Sequence, residues 1–469
     1  MSSPRDAHVH ADAPPGDATH GHDRHRVIGA VGATGMIVAA MVGSGIFSLT
    51  GQFGAKVGTP ENLLAPWVIG GILALCGGLS LAELGAMIPC SGGSVEFARR
   101  AFGSTVGYLV AMVTILSGYF LSIAAVALLL AQYVDALLAP DLPDAAIAIV
   151  VVVVAYLSQL PGLRAGYAFN TALSVLKIGF VAAFVVAGLL VPVGERRSAP
   201  PPETSPGLLS PAVASATLTV SFAYLGWSTG ADIAGDIRRP GRNVPLAIIA
   251  AILVVFALYI GVNLVYLRVI DPTAMVGADG GELPAIGSVA ATLLFGPAIG
   301  TAMTAVIAAL FFSTIVSGTI TAARILESMA HAREIPAWTG VRRTDGVPAR
   351  ALLVTLVASL APLAIGSLDD IFGLLTVLVN IFSSLSVAAV IVLRRTMPDA
   401  PRPFRVPLYP VVPLVYLALA AWSVAASVAD GGWKSIIASV ATVVVLLLFR
   451  PLLAPGRGAG RVPASSPNP

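Results

Sequence analysis

The chain has 469 residues, of which 57% are hydrophobic and only 11% are charged, and its mean hydropathy is +0.89. Soluble domains contain about 25% charged residues, so this composition excludes an ordinary soluble protein and indicates an integral membrane protein. The net charge of +3 comes without a basic face interleaved with aromatic residues, which argues against nucleic-acid binding. Cys76 and Cys90 offer neither a disulfide framework nor a metal-ligand spacing.

Polar tails are predicted at both ends of the chain. Residues 1–26 are rich in His, Asp and Pro, and they lack the apolar core of a secretory signal. The run HGHDRH (His20–His25) carries metal-binding side chains, but we interpret residues 1–26 as a disordered cytoplasmic tail. Residues 454–469, rich in Pro, Gly and Ser, are interpreted in the same way.

Twelve apolar segments lie between the tails, with the ~17–25 residues that a helix needs to cross about 30 Å of hydrocarbon. Continuous apolar runs argue against barrel strands, which alternate over about ten residues. The sequence therefore predicts an all-α membrane domain over residues 27–453. Its predicted helices are 27–52, 63–88, 105–134, 144–160, 169–192, 211–236, 244–268, 297–330, 350–367, 370–393, 407–428 and 433–453.

The positions of the basic residues predict the orientation. With a cytoplasmic N-terminus and alternating helices, most of the 27 Lys and Arg residues fall in cytoplasmic loops or tails. Lys177 remains within the membrane. This bias predicts a multi-pass protein of the cell (plasma) membrane with both termini in the cytoplasm. The basic residues left outside are Lys56, Arg196, Arg197, Arg268 and Lys434.

Two of the twelve segments contain glycine clusters near their centres. The first carries GSG (Gly43–Gly45) and the sixth carries GWSTG (Gly226–Gly230). Each glycine costs about 1 kcal/mol relative to alanine in a helix interior, although close helix packing is an alternative reason for small residues. Paired interruptions favour an inverted-repeat transporter with a site at the midplane. Exposed N–H groups after Gly45 suit a carboxylate and free carbonyls suit an ammonium, so an α-amino acid fits both.

Four motifs resemble those of the amino acid–polyamine–organocation superfamily, the amino acid permeases. They are GSGIF in the first segment, AELGAMIPCSGGSVEFARRAFG (Ala82–Gly103), GADIAGDIRRPGRNVPLAI (Gly230–Ile248) and ARILESMAHAREIPAW at the end of the eighth. The resemblance runs from about residue 27 to residue 450. It implies a LeuT-type fold with two inverted five-helix repeats (27–192 and 211–393), broken helices 1 and 6, and two further helices (407–453).

The resemblance also implies alternating access around a substrate held between broken helices 1 and 6. Phe222 would act as an aromatic gate over the substrate, and Tyr119 or Phe312 would shape the pocket. By position, the implied substrate-binding residues are Val42, Gly43, Ser44, Gly45, Ile46, Phe222, Ala223, Leu225, Gly226, Ser228 and Tyr119.

Lys177 lies about eight residues into the predicted fifth helix, at a depth where a charge is costly. In related proton-coupled permeases, a lysine of this helix replaces a sodium ion that is held against helices 1 and 8. The resemblance therefore implies proton coupling through Lys177. The structural alternative is a lysine whose side chain extends to the cytoplasmic interface.

Other charged residues are predicted at the cytoplasmic face. Glu83, near the inner end of the second helix, is expected to pair with cytoplasmic arginines. Asp236, Arg238 and Arg242 are expected to form an ion-pair network in the linker between helices 6 and 7, acting as an inner gate. The side chain of Asp232 reaches the predicted substrate cavity only if its side of the sixth helix faces that cavity.

The class of substrate side chain is predicted from the charges near the midplane. Ser228 stands where relatives that handle cationic amino acids carry a glutamate, and no arginine is placed to receive an anionic side chain. A neutral amino acid is therefore the first prediction. The alternative is exchange of a cationic amino acid or polyamine, with Asp232 supplying the charge.

Enzymatic function is not expected, because no catalytic cluster or nucleotide-binding motif is present at membrane depth. No cofactor and no metal are predicted. The rival from a different class is a sensor that binds an amino acid without moving it. The expected partners are an amino acid, protons and the lipid bilayer, with the protein a monomer or homodimer; symport, antiport and uniport all stay open.

Overall fold

The computed structural model describes most of the chain, and Ser44 and most of the two predicted tails lie outside the described residues. The described ranges are 26–43, 45–90, 92–138, 142–160, 163–200, 206–277, 281–283, 285–331, 334–343, 347–365 and 367–453. Within these ranges the regular structure is helical, apart from three isolated β-bridges.

Sixteen α-helices are named here in chain order. In the first half they are α1 Ala30–Met41, α2 Gly45–Val57, α3 Pro60–Met87, α4 Gly93–Phe102, α5 Ser104–Leu138, α6 Asp144–Leu157 and α7 Leu163–Leu190. In the second half they are α8 Pro211–Ala223, α9 Thr229–Asp232, α10 Pro240–Val269, α11 Ile286–Phe295, α12 Pro297–His331, α13 Ala349–Ile365, α14 Leu368–Thr396, α15 Val411–Ser427 and α16 Trp433–Leu453.

Six described helices are long and apolar enough to cross a membrane, or seven if α1 and α2 form one bent span. They include α3, α5, α10, α12 and α14, while α15 and α16 together form a run of 40 residues that is kinked at Gly431. Other predicted segments correspond to shorter apolar helices of 10–17 residues, among them α6, α8 and α13. The molecule is thus an all-helical, multi-pass membrane protein.

Polar caps define where three of the helices begin. The Thr59 side chain accepts a hydrogen bond from the Asn62 N–H ahead of α3, and the Ser210 side chain accepts one from the Val213 N–H ahead of α8. Proline follows each cap at the first helical position, where its missing N–H costs nothing. Ser367 and Asp370 form a capping box at the start of α14.

A ten-residue helix followed by a 35-residue helix occurs twice in the chain. Gly103 joins α4 to α5 with φ 91° and ψ 175°, and Gly296 joins α11 to α12 with φ 83° and ψ 169°. Four residues later, Gly107 and Gly300 each pack against the preceding short helix. The same local geometry therefore follows from two related stretches, FGSTVG and FGPAIG.

The two copies of this unit lie at opposite ends of the helices. Arg99 of α4 bonds Glu334, beyond the end of α12, at 2.9 Å. At the other end, Gly51 of α2 accepts the Leu283 N–H, just ahead of α11, at 3.0 Å. Because α12 runs for 35 residues from the end of α11 to the segment that bonds Arg99, the two short helices lie at opposite ends of α12.

The two predicted interruptions are real breaks, and they contact each other. Helices α1 and α2 meet at an angle of 42°, and five residues, 224–228, separate the end of α8 at Ala223 from the start of α9. Gly226 has φ +113°, and a Cβ there would lie 2.9 Å from the Ala40 carbonyl carbon and 3.0 Å from the Met41 nitrogen. Reciprocally, a Cβ on Gly45 would lie 3.0 Å from the Ala223 Cβ. Each broken helix thus packs into the break of the other.

We expect Gly226→Ala to destabilise the protein by about 1–3 kcal/mol, because alanine is strained at positive φ and its Cβ meets the Ala40 and Met41 backbone. The measurement is the apparent melting temperature in detergent. Gly35→Ala is the matched control, since nothing lies within 4 Å of its Cβ position in α1. Equal melting temperatures for the two variants would show that the contact between the breaks is unimportant for stability.

Candidate functional site

The two breaks bring together helix ends of opposite polarity. The carboxyl ends of α1 and α8 meet near Met41 and Ala223, and the amino end of α2 begins at Gly45. Carboxyl ends carry partial negative charge and amino ends partial positive charge, both on backbone groups that lack helical partners. The two carboxyl ends suit an ammonium, and the amino end of α2 suits a carboxylate. The backbone alone is therefore complementary to a zwitterion.

Apart from Tyr119, the predicted substrate-binding residues in the described part of the chain lie in or beside these breaks. Val42 is fully buried in an extended conformation (φ −70°, ψ 96°), with its N–H bonded to the Val38 carbonyl at 2.8 Å. Gly45 and Ile46 stand in the first turn of α2, and both are buried. Ser44, predicted at the same position, lies outside the described residues.

In the sixth segment, Ala223 ends α8 and the chain then turns through Gly226 to α9. Leu225 N–H donates to the Phe222 carbonyl at 3.0 Å, which closes the turn. Ser228 directly precedes α9. All of these residues are half-buried or buried.

Two of the predicted aromatic residues, Phe222 and Tyr119, occupy different surroundings. The ring of Phe222 packs edge-on against Phe372 of α14, with centroids 5.1 Å apart. Tyr119 lies in a π-helical turn of α5, Leu116–Leu121, which contacts α12, α13 and α14. Such turns occur frequently at functional sites.

A small cavity of about 20 Å³ adjoins the second break. This volume accommodates one water molecule. Its polar wall includes Asn380, whose Nδ2 donates to the Ser221 Oγ at 2.7 Å and to the Thr376 carbonyl at 2.9 Å. Ser383 and Tyr416 complete this wall.

Lys177 lies further from the start of its helix than the sequence predicts. Helix α7 begins at Leu163 rather than at residue 169, so Lys177 is 14 residues from its start, roughly 21 Å along the axis. The side chain is only 6% exposed, and its Nζ donates to Thr314 Oγ1 of α12 at 3.1 Å. Among the described residues, no carboxylate lies at ion-pair distance from it.

Glu83 is the centre of a buried ion-pair cluster. Its carboxylate is fully buried and receives both Nε, at 2.8 Å, and a terminal nitrogen of Arg394 in α14. The guanidinium of Arg402 lies 3.4 Å away, and the Val406 N–H donates to it at 2.7 Å. The cluster fastens the end of α3 to the end of α14 and to the segment that follows.

The linker between α9 and α10 differs from the prediction. Within the described residues, no side-chain ion pair joins Asp236, Arg238 and Arg242. These side chains are exposed, and exposed ion pairs gain little over hydration. Instead, the linker holds the segment ahead of α1 through the backbone: Ile28 N–H donates to Asp236 O at 3.1 Å, and Arg238 N–H donates to Ile28 O at 2.9 Å.

Asp232 turns toward α4. Its carboxylate accepts the Ser94 N–H at 2.9 Å, and its carbonyl accepts the Gly92 N–H at 2.8 Å. A carboxylate at this position caps the amino end of α4. The aspartate therefore has a structural partner that its sequence context did not predict.

Several polar residues at the breaks were missed by reasoning from sequence. The most prominent is Tyr259 of α10, whose hydroxyl oxygen lies 2.7 Å from the Met41 carbonyl and 2.9 Å from the Ala223 carbonyl. Asn263 and Tyr266 follow at helical spacing on the same face of α10. A polar stripe at i, i+4 and i+7 in an otherwise apolar segment was the available signal.

Comparison with known proteins identifies the family. Residues 28–448 match the sequence profile of the family described as amino acid permease. The serine/threonine exchanger SteT of Bacillus subtilis (strain 168) is 27% identical over 399 residues, covering 83% of this chain and 88% of that protein. The large neutral amino acids transporter small subunit 2 of Mus musculus is 28% identical over 406 residues, covering 83% and 74%. The b(0,+)-type amino acid transporter 1 of Mus musculus is 26% identical over 425 residues, covering 87% and 84%.

These relatives are transporters rather than enzymes, and the matches span the helices that form both breaks. The resemblance of the GSGIF and linker motifs is thereby confirmed. This chain belongs to the amino acid permease family of the amino acid–polyamine–organocation superfamily.

Proposed function

We propose that this protein is a secondary active transporter that moves an amino acid by alternating access between the two broken helices. The observation that carries the proposal is the meeting of two carboxyl helix ends and one amino helix end at the contact between Gly45, Ala223 and Gly226. This arrangement binds the groups that all α-amino acids share, and it leaves the side chain to be recognised by the surrounding helices.

We further propose the LeuT-type arrangement, with twelve spans, inverted repeats over about 27–192 and 211–393, and two added helices over 407–453. The repeated unit of a short helix, a glycine and a 35-residue helix supports this division. Its two copies lie at opposite faces, as inversion requires. The proposed orientation places both termini in the cytoplasm and the protein in the cell membrane, where it acts as a monomer or homodimer.

A neutral amino acid is the proposed substrate. Ser228 adds no charge at the second break, and the nearby Asp232 is engaged with the amino end of α4, which weakens the case for a cationic substrate or polyamine. The names of two relatives, a serine/threonine exchanger and a large neutral amino acids transporter, favour the same class. A non-transporting sensor is disfavoured because those relatives are transporters.

Proton coupling is proposed to pass through Lys177. A lysine in the middle of α7 with a threonine partner on α12, and with no carboxylate beside it among the described residues, is unlike a structural ion pair. A charged side chain buried in a membrane-spanning helix is costly, and such residues commonly serve in proton or ion pathways. Its location argues against the alternative in which the side chain extends to the cytoplasmic interface.

The function is tested by uptake of a radiolabelled amino-acid panel into proteoliposomes, with and without an imposed pH gradient. We expect uptake of neutral amino acids, increased by an inward proton gradient. Strong uptake of arginine or agmatine, with none of serine, threonine, leucine or phenylalanine, would contradict the proposed substrate class. Binding without any uptake would favour a sensor.

Lys177→Ala is expected to abolish accumulation driven by the pH gradient, because no other described group replaces the ammonium beside Thr314. Exchange between equal internal and external substrate pools is expected to continue, since it requires no proton gradient. Lys434→Ala, at an exposed lysine, is the control and retains both activities. Unchanged gradient-driven uptake by Lys177→Ala would refute the coupling role.

Glu83→Gln is expected to destabilise the protein by about 3 kcal/mol, because it leaves the Arg394 and Arg402 guanidinium groups without their buried counter-ion. The apparent melting temperature in detergent is the measurement. Glu61→Gln, at the exposed opposite end of α3, is the matched control and is expected to melt like the wild type. If Glu83→Gln also melted like the wild type, the cluster would not hold α3 to α14.

A further inference from the structure

One aspartate joins the second broken helix, after its break, to the short helix α4. Asp232 ends α9, and its carboxylate accepts a hydrogen bond from the Ser94 N–H at 2.9 Å, while its backbone carbonyl accepts one from the Gly92 N–H at 2.8 Å. Gly93 lies between these donors, and a Cβ there would be 2.5 Å from the Ala231 carbonyl oxygen. The end of α9 and the first turn of α4 are therefore in direct contact.

The amino end of α4 depends on this contact for its cap. Its N-cap residue is Gly92, with φ 70°, which has no side chain to accept the free N–H groups of the first turn. A cap supplied by the same helix persists whatever the neighbouring segments do. Here the acceptor is 138 residues away along the chain. Helix α4 is therefore capped by Asp232 only while α9 stays beside it.

Helix α4 is fastened to two long helices, whereas α9 is short. Arg99 of α4 bonds Glu334, beyond the end of α12, at 2.9 Å, and a Cβ on Gly107 of α5 would lie 2.8 Å from the Arg99 Cβ. Helix α9 has only four residues, and a 3-10 turn, Ala234–Asp236, follows it. A helix of one turn has little stability of its own, so its position depends on its contacts.

The first broken helix is joined to α9. A Cβ on Gly230 of α9 would lie 2.8 Å from the Ile37 Cδ1 of α1, so the two helices pack closely. Two backbone hydrogen bonds of Ile28 join the segment ahead of α1 to the linker that follows α9. We call α1, α9 and residues 233–239 the inner unit. Asp232 is the residue through which this unit is hydrogen-bonded to α4.

A corresponding contact lies at the other end of the molecule. There Gly51 of α2 accepts the Leu283 N–H, just ahead of α11, at 3.0 Å, and Lys56 pairs with Glu282 at 2.7 Å. Each short helix, or the residue ahead of it, thus holds the part of one broken helix that follows its break. In a transporter that works by alternating access, the contacts at the two ends open at different times.

We infer that Asp232 is the gating residue of the cytoplasmic path. Its hydrogen bonds to α4 hold the inner unit in place and keep the path from the breaks to the cytoplasm closed, and these bonds break when the substrate is released to that side. The inference rests on the proposed function and orientation, which place the inner unit on the cytoplasmic side. Asp232 does not contact the substrate, and it sets the balance between closed and open states.

The test is Asp232→Ala in the full-length protein, measured by the rate at which a maleimide labels Cys90. This thiol is free and half-buried, two residues before Gly92, and separation of α9 from α4 uncovers it. We expect labelling to accelerate about tenfold, the effect of losing one hydrogen bond to a charged group. Mass spectrometry assigns the label, and Cys76, further from α4 in α3, is the internal reference with an unchanged rate.

A second variant removes the donor of the same hydrogen bond. Ser94→Pro has no N–H for the Asp232 carboxylate, and proline is tolerated in the first turn of a helix. Its Cys90 labelling is expected to accelerate as in Asp232→Ala, so the test stands even if one variant does not fold. Asp232→Asn keeps an oxygen that accepts the Ser94 N–H, and it is expected to label within about threefold of the wild type.

Asp236→Ala is the matched control. It removes an exposed carboxylate four residues further along the same linker and keeps the backbone carbonyl that bonds Ile28. Its Cys90 labelling is expected to equal that of the wild type. Unchanged labelling in Asp232→Ala and Ser94→Pro would overturn the inference, as would equal acceleration in Asp236→Ala or in Asp232→Asn.

Hydrogen–deuterium exchange separates a gating residue from a simple cap. A cap that serves only α4 would, when lost, accelerate exchange in residues 93–102 alone. For a gating residue, we expect Asp232→Ala to accelerate exchange roughly five- to tenfold over residues 28–41 and 228–239 as well. Acceleration confined to α4 would overturn the inference. A wild-type protein that takes up no amino acid would contradict the proposed function, while labelling and exchange would still decide whether Asp232 holds the inner unit to α4.

Discussion

Backbone groups that lose their helical partners at membrane depth need new ones, and this requirement organises the centre of the protein. Two helices are interrupted, and each packs into the other's break, with Gly226 against Ala40 and Met41 and with Gly45 against Ala223. Only glycine permits both the backbone angle and the approach at Gly226. The contact exposes complementary helix ends at one point, and α10 fastens those ends through Tyr259.

Two buried charged residues, Glu83 and Lys177, have different surroundings in this structure. Glu83 is fully buried, but two arginines and a backbone N–H neutralise and bond its carboxylate, which makes it a tie between α3, α14 and the following segment. Lys177 is nearly as buried and donates to a threonine, with no described carboxylate beside it. Removing one member of a buried ion pair is expensive, so the Glu83 cluster resists substitution, whereas Lys177 has no such ion pair within the described residues.

Much of the fold was predictable because the membrane imposes length and apolarity on every span. The predicted segments coincide with described helices or helix pairs. Six of the described helices are long and apolar enough to cross a membrane by themselves, or seven if the bent pair α1 and α2 counts as one span. Helix ends were less predictable. The early start of α7 at Leu163 places Lys177 at the middle of its helix, whereas the sequence predicted it about eight residues from the start.

The sequence by itself determined the membrane class, the two interruptions and the family, because glycine clusters and apolar runs act through local backbone energetics. The tertiary structure decided which groups meet. It placed Asp232 on the end of α4, replaced the expected ion pairs of Asp236 with backbone hydrogen bonds, and brought Tyr259 to carbonyls 218 and 36 residues away in the chain. Such partnerships depend on how helices pack across the bundle, and no local pattern of residues specifies them.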